Sequence, residues 1–199
     1  MNPNLQIELR RFISSNVVSK LNKFYFENDA LLIKAIDASI GTILIGVYNK
    51  IHEVSLYNEL VEIVGATDFY KEIDFESGRL LSVDDCYKDE GNKLLKRIFD
   101  NKKGRITEMV SNEVGIKSET AREVLNFSAL LVLSYFSYKK QVQEDLQLLL
   151  EEQKRGVLNS IPLGIKIILG FSSYEVVEEK RKTRFSNSIF NHIFSNSNS

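Results

Sequence analysis

ALLIKAIDASIGTILIGVYNK, Ala30 to Lys50, and ETAREVLNFSALLVLSYFSYKK, Glu119 to Lys140, are the two stretches whose reading decides the fold. At an offset of 89 residues, Ala35-Ile36 falls on Val124-Leu125, Ser39 on Ser128, Ile43-Leu44 on Val132-Leu133, Val47 on Phe136 and Lys50 on Lys139. Identities are few, yet the apolar positions coincide. Each stretch begins amphipathic and ends apolar on nearly every face, the pattern of a helix enclosed by others. The pair predicts two central helices of an all-α helical bundle made of two related halves.

Outward from these stretches the periodicity stays helical. Leu5, Leu9, Phe12, Ile13, Val17, Leu21 and Phe24 recur at three or four residues and predict one opening helix with a single apolar face. Asn28-Asp29 is a cap for the next helix, expected to reach His52, because a short side-chain oxygen accepts from free amides of the first turn. A helix over Leu56 to Val64 should stop at Gly65, a residue that tolerates a left-handed turn. Residues 65–91 mix aromatics, acids and turn formers and read as an irregular connection between half-repeats at about 5–64 and 92–140, anchored by Phe69, Ile73, Leu80 and Leu81. Helices resume over Asn92 to Asp100, Arg105 to Val114 and Ser118 to Lys140. A further helix carries Leu146, Leu149 and Leu150, and Pro162 begins or interrupts the next segment. Residues 1–170 thus form one helical domain, followed at 171–199 by a charged helix and an Asn/Ser-rich tail too poor in apolar residues to hold itself.

Composition narrows the function. A chain of 199 residues with 43% hydrophobic residues can bury a sizeable core. Its 26 basic and 27 acidic side chains nearly cancel, so no global field draws polyanions, and nucleic acid or an anionic membrane would have to be met locally. The single cysteine, Cys86, excludes an internal disulfide, and two histidines, His52 and His192, are too few for a histidine-built metal centre. The opening MNPNLQIELRRF places charges where a signal peptide is apolar, which leads to a cytoplasmic expectation. The apolar windows Ile40 to Tyr48 and Phe127 to Tyr138 are shorter than the roughly 20 residues that span a bilayer, so core helices are expected.

The sharpest local motif is ITEMVSNEVGIKSETAREVLN, Ile106 to Asn126, a helix-turn-helix pattern. Val110 and Ser111 face inward, Gly115 makes the turn, Ile116 anchors it, and Ala121, Val124 and Leu125 line the second helix. Its exposed positions would be Ser118, Glu119, Thr120, Arg122 and Glu123. If the unit met DNA, Ser118, Thr120 and Arg122 would do so, helped by the basic cluster Lys180, Arg181, Lys182 and Arg184. Two carboxylates against one guanidinium meet phosphate poorly, however, and two packed helices around a glycine turn is the favoured reading. The basic cluster itself reads as a solvated face beside Glu178 and Glu179.

Catalytic constellations are weaker still. Asp84, Asp85, Asp89 and Glu90 lack the spacing of a calcium loop. Cys86 with His52 lacks a third polar partner. Glu59 with Glu62, and Glu175 with Glu178, are spaced one turn apart on helix surfaces, and neither GxxxxGK[ST] nor GxGxxG occurs. No enzyme, cofactor or metal is expected.

The residues also carry a family resemblance. GNKLLKRIFDNKKGRITEMVSNEVGIKSETAREVLNFSALLVL, Gly91 to Leu133, resembles the second half of the YidB-like family, bacterial helical proteins grouped as a domain of unknown function. Shared with it are the Leu-Leu-x-x-Ile/Leu-Phe helix, the basic-Gly turn, a helix of V-S-x-x-x-G-I/L type and an apolar helix. IKAIDASIGTILIGVYNK is similar to the family's first-half helix, and EEQKRGVLNSIPLGIKIILG, Glu151 to Gly170, to the tail of its longer members. Where the family carries Ala-Pro in the apolar helices, this chain has Ile40-Gly41 and Ala129-Leu130, which implies straighter helices. The resemblance supports a helical fold and brings no catalytic residues. What remains is the expectation of a bacterial, non-enzymatic interaction or assembly module. It would self-associate through uncovered apolar helix faces or bind a protein partner. The alternatives are DNA binding through 106–126 and reversible membrane action by the two apolar helices.

Overall fold

A computed structural model describes residues 4–83, 85, 87–139 and 143–171. The helices are α1 (Leu5–Arg10), α2 (Ser15–Asn22), α3 (Asp29–Lys50), α4 (Val54–Gly65), α5 (Asp68–Lys71), α6 (Tyr87–Phe99), α7 (Lys103–Val114), α8 (Ser118–Lys139), α9 (Gln143–Ser160) and α10 (Leu163–Ile168). A short hairpin, β1 (Ile73–Asp74) with β2 (Arg79–Leu80), sits between α5 and α6. The protein is an all-α bundle, as the periodicity predicts.

The 89-residue offset holds in three dimensions. Shifting the start of α3, Asp29, by it places it on Ser118, the start of α8. The packing obeys the same interchange. α3 lies against α8. α4, which follows α3, packs on α8, whereas α9 packs back on α3. α2 and α7 each touch both central helices, as do α1 and α6. The halves are interlocked, so neither closes its core alone.

Both central helices are enclosed. Along α3 the buried run extends from Ala38 to Val47, and along α8 from Glu123 to Phe136. The expectation of uncovered apolar faces on these helices is therefore corrected. α3 is the one helix among the described residues long and apolar enough to cross a membrane, and 72% of that window is buried in the bundle. The short apolar windows of the sequence underestimate its length, but its place is the core.

Other boundaries differ for identifiable reasons. The opening helix is broken in two, because Asn4 caps α1 and Ser14 caps α2, whose Oγ accepts from the Val17 amide at 3.4 Å. Phe24 falls past the end of α2 and is 58% exposed instead of lining the face. α4 ends without a left-handed residue, since Ala66 is in the right-handed region and its amide returns to α4 carbonyls. Within 65–91 the connection is more ordered than expected. Phe69 and Ile73 are buried as predicted, and Phe75 stacks on Tyr138 at 4.4 Å, which ties the hairpin to α8. Leu81, expected as an anchor, is 67% exposed.

Gly91 is the sharpest boundary correction. It lies inside α6 rather than before it, and a Cβ there would stand 2.3 Å from the carbonyl oxygen of Asn126 on α8. Glycine here allows backbone to meet backbone. Gly156, within α9, has nothing within 4 Å of such a Cβ. Gly91→Ala should thus lower the free energy of unfolding by about 1–3 kcal/mol through overpacking. Gly156→Ala should raise it by about 0.5–1 kcal/mol through helix propensity. Urea titration of both variants checks the pair, and equal effects would contradict the packing described.

Candidate functional site

The helix-turn-helix pattern is locally correct. α7 ends at Gly115, whose φ of 81° and ψ of 42° are left-handed, and the amides of Gly115 and Ile116 return to Ser111 O at 2.9 and 3.1 Å. Ser111 Oγ donates to Ile116 O at 2.6 Å, and Val110, Ile116, Ala121, Val124 and Leu125 are buried as read.

The exposed face of its second helix is not as expected. Ser118, Glu119 and Arg122 are exposed, but Thr120 and Glu123 are buried. The cause is the linker between α2 and α3, Lys23 to Asn28, which crosses the N-terminus of α8. Glu27 Oε1 accepts from the Lys117 amide and from Thr120 Oγ1, each at 2.8 Å, and Lys117 Nζ donates to Tyr25 O. The carboxylate thus caps a helix of the other half, where free amides and the helix dipole favour an anion. Glu123 is covered from α6. Tyr87 Oη donates to its Oε2 at 3.0 Å, and Lys88 Nζ lies 3.8 Å away. Burial first, and then the Glu123 charge, holds the Tyr87 phenol far above its ordinary pKa, so it remains the donor. Of the predicted contact residues, Ser118 and Arg122 are accessible beside a carboxylate-filled helix end. Lys180, Arg181, Lys182 and Arg184 lie outside the described residues, as do Cys86, Asp84, Glu175, Glu178 and His192.

The linker displays what the sequence reading passed over. Phe24 is 58% and Phe26 86% exposed. Phe26 adopts φ +53°, an outlier for a bulky residue. Asn22 holds it there: its Oδ1 accepts from the Glu27 amide at 2.7 Å, its Nδ2 donates to Glu27 O at 2.8 Å, and its carbonyl accepts from the amides of Tyr25 and Phe26. Two aromatic rings are therefore presented on a clamped loop. Lys23 and Lys88 lie over the Phe24 ring at 5.0 and 5.6 Å. Next to it, between α2 and residues 80–83 at the exit of the hairpin, is an open groove of about 450 Å³ with Val17, Lys20, Lys23, Leu80, Leu81 and Val83 along it. The signal in the sequence was the run Phe24-Tyr25-Phe26 set in a linker rather than in a helix.

Among the described residues no group of three or more His, Cys, Asp or Glu is placed to hold a metal ion. Asp85 is exposed and 3.5 Å from Lys88, and Glu59 is engaged by Arg97.

The fold and this site define a two-half helical bundle whose exposed features are a clamped aromatic loop and a lysine-edged groove. The family model described as a bacterial protein of unknown function (DUF937) matches residues 8–139, and the chain belongs to that family. The YidB-like resemblance is consistent with it. No curated protein and no solved structure matches.

Replacing Glu27 by Ala removes the cap of α8 and leaves the buried Thr120 hydroxyl without its acceptor. Stability should fall by about 1–3 kcal/mol. Chemical denaturation measures this, and an unchanged midpoint would show that Glu27 does not hold the two halves together.

Proposed function

We propose that the chain is a non-enzymatic interaction module that works in the bacterial cytoplasm and docks a protein partner on the linker surface between α2 and α3. The carrying observation is the loop held by Asn22, with Phe26 86% exposed at a positive φ. Strain of about 1–3 kcal/mol at such a residue persists only where surrounding contacts impose it, and it gathers at binding sites. An aromatic side chain fixed outward supplies contact area at little further entropic cost on binding. The central apolar helices are poor docking faces because their side chains are already buried. A single cysteine suits a reducing compartment.

DNA recognition through 106–126 draws less support. Glu27 occupies the helix end that would meet a phosphate, and Thr120 makes its hydrogen bond inward. Membrane insertion of α3 and α8 would require opening the interlocked core.

The test is a photoreactive benzoylphenylalanine in place of Phe26, irradiated in living bacteria, with the same group at exposed Lys34 as the control. Discrete adducts from position 26 that are absent from position 34 are expected. Adducts of twice the chain mass would identify the partner as a second copy. Identical smears from both positions would contradict the reading.

A further inference from the structure

We infer that the groove between α2 and residues 80–83 takes an extended acidic segment of a protein partner, one that alternates carboxylates with branched apolar side chains. This rests on the interaction-module reading and names the partner's chemistry.

Three observations converge on one strip of surface. The first is charge: among the described residues the only charged ones along the groove are Lys20 and Lys23, both exposed on the last turn and C-cap of α2, and no described carboxylate forms an ion pair with either. Among its described lining residues the balance is positive, on a chain whose total is close to neutral. The second is apolar surface: Val17 and Val83 are buried at the floor, Leu80 is half-buried, and Leu81 is 67% exposed at the rim. The third is backbone. β2 pairs with β1 on one side, and the Leu81 amide bonds to Glu72 O at 2.7 Å, but the main-chain groups of Ser82 and Val83 bond to no other described residue.

A stretch that continues from a strand with its amides and carbonyls unpaired, beside an apolar strip, offers a peptide the main-chain partners with which to add as a strand. Main-chain pairing supplies affinity, and alternate side chains supply selectivity. With a period of two, one set of partner side chains would enter the floor at Val17, Leu80 and Val83, and the other would stand toward the lysines. The lysine ammonium groups favour carboxylates in that second set, and a basic segment would meet repulsion. The groove is open and short, so it fits a few residues of extended chain rather than a helix. The Phe24 loop adjoins it through Lys23, which belongs to both surfaces.

Panning phage-displayed random nine-residue peptides against the intact protein tests this. Enrichment of clones alternating Asp or Glu with Val, Ile or Leu is expected. A synthetic peptide from the leading clone should lose at least tenfold in affinity against the Lys20→Gln, Lys23→Gln double variant, whose changes are at exposed sites and should leave the circular dichroism spectrum unaltered. On binding, the amide resonances of Ser82 and Val83 should move. Peptides without an acidic preference, affinity indifferent to the two lysines, or shifts confined to other elements would overturn the inference. So would tight binding of phosphatidylglycerol vesicles through the same lysines with no peptide selected, which would make the occupant a lipid surface. Failure here with position-26 adducts intact removes the groove alone. Failure of both removes the module.

Discussion

The contact of α3 with α8 is the constraint on which the rest depends. The distance between packed helices depends on the size of the side chains between them, and α3 carries Ala35, Ala38, Ser39 and Thr42 among its buried positions. Close packing has a chemical cost. The hydroxyls of Ser39 and Ser128, which the 89-residue offset makes equivalent, are both fully buried without a hydrogen-bond partner. A buried unpaired hydroxyl costs roughly 1–3 kcal/mol, and its retention at equivalent places in both halves fits a site where a small side chain is required. The glycines of α3 serve other neighbours, since a Cβ at Gly46 would stand 2.4 Å from the Phe99 ring of α6 and one at Gly41 2.6 Å from Ile161 beyond the end of α9.

Given that crossing, the reciprocal wrapping follows. Each central helix is followed by a helix that covers the other, so α4 shields α8 and α9 shields α3. Interchange of covering helices makes the domain one cooperative core and leaves little apolar surface on the central pair. The docking surface proposed above lies where the halves differ. They differ at the turn before each central helix: three residues, Gly115 to Lys117, in the second half, and the longer Lys23 to Asn28 linker in the first. The longer linker does two jobs. Glu27 fastens it to α8, and Phe24 and Phe26 are displayed on its outer side.

Much of this was legible in the sequence because it is local. The starts of α3 and α8, the Asn28 cap and the Gly115 turn depend on residues within a few positions of one another, and hydrophobic period with cap chemistry predicts them. What was missed is long-range. Thr120 and Glu123 look exposed by period, and they are buried because Glu27, 93 residues from Thr120, and Tyr87, 36 residues from Glu123, reach them. Gly91 looks like punctuation, whereas its role is set by the backbone of Asn126. The groove was invisible for the same reason: Lys20 and Lys23 belong to one helix, Leu80 to Val83 to a hairpin far along the chain, and only the fold brings them together.

Amide hydrogen exchange under native conditions tests the interlocked core most directly. The account predicts that the central amides of α3 and α8 exchange only by global unfolding, with one common opening free energy. An opening free energy for α1 to α4 clearly below that for α6 to α9 would show that the halves open separately, and would contradict the reciprocal packing on which this reading of the surface rests.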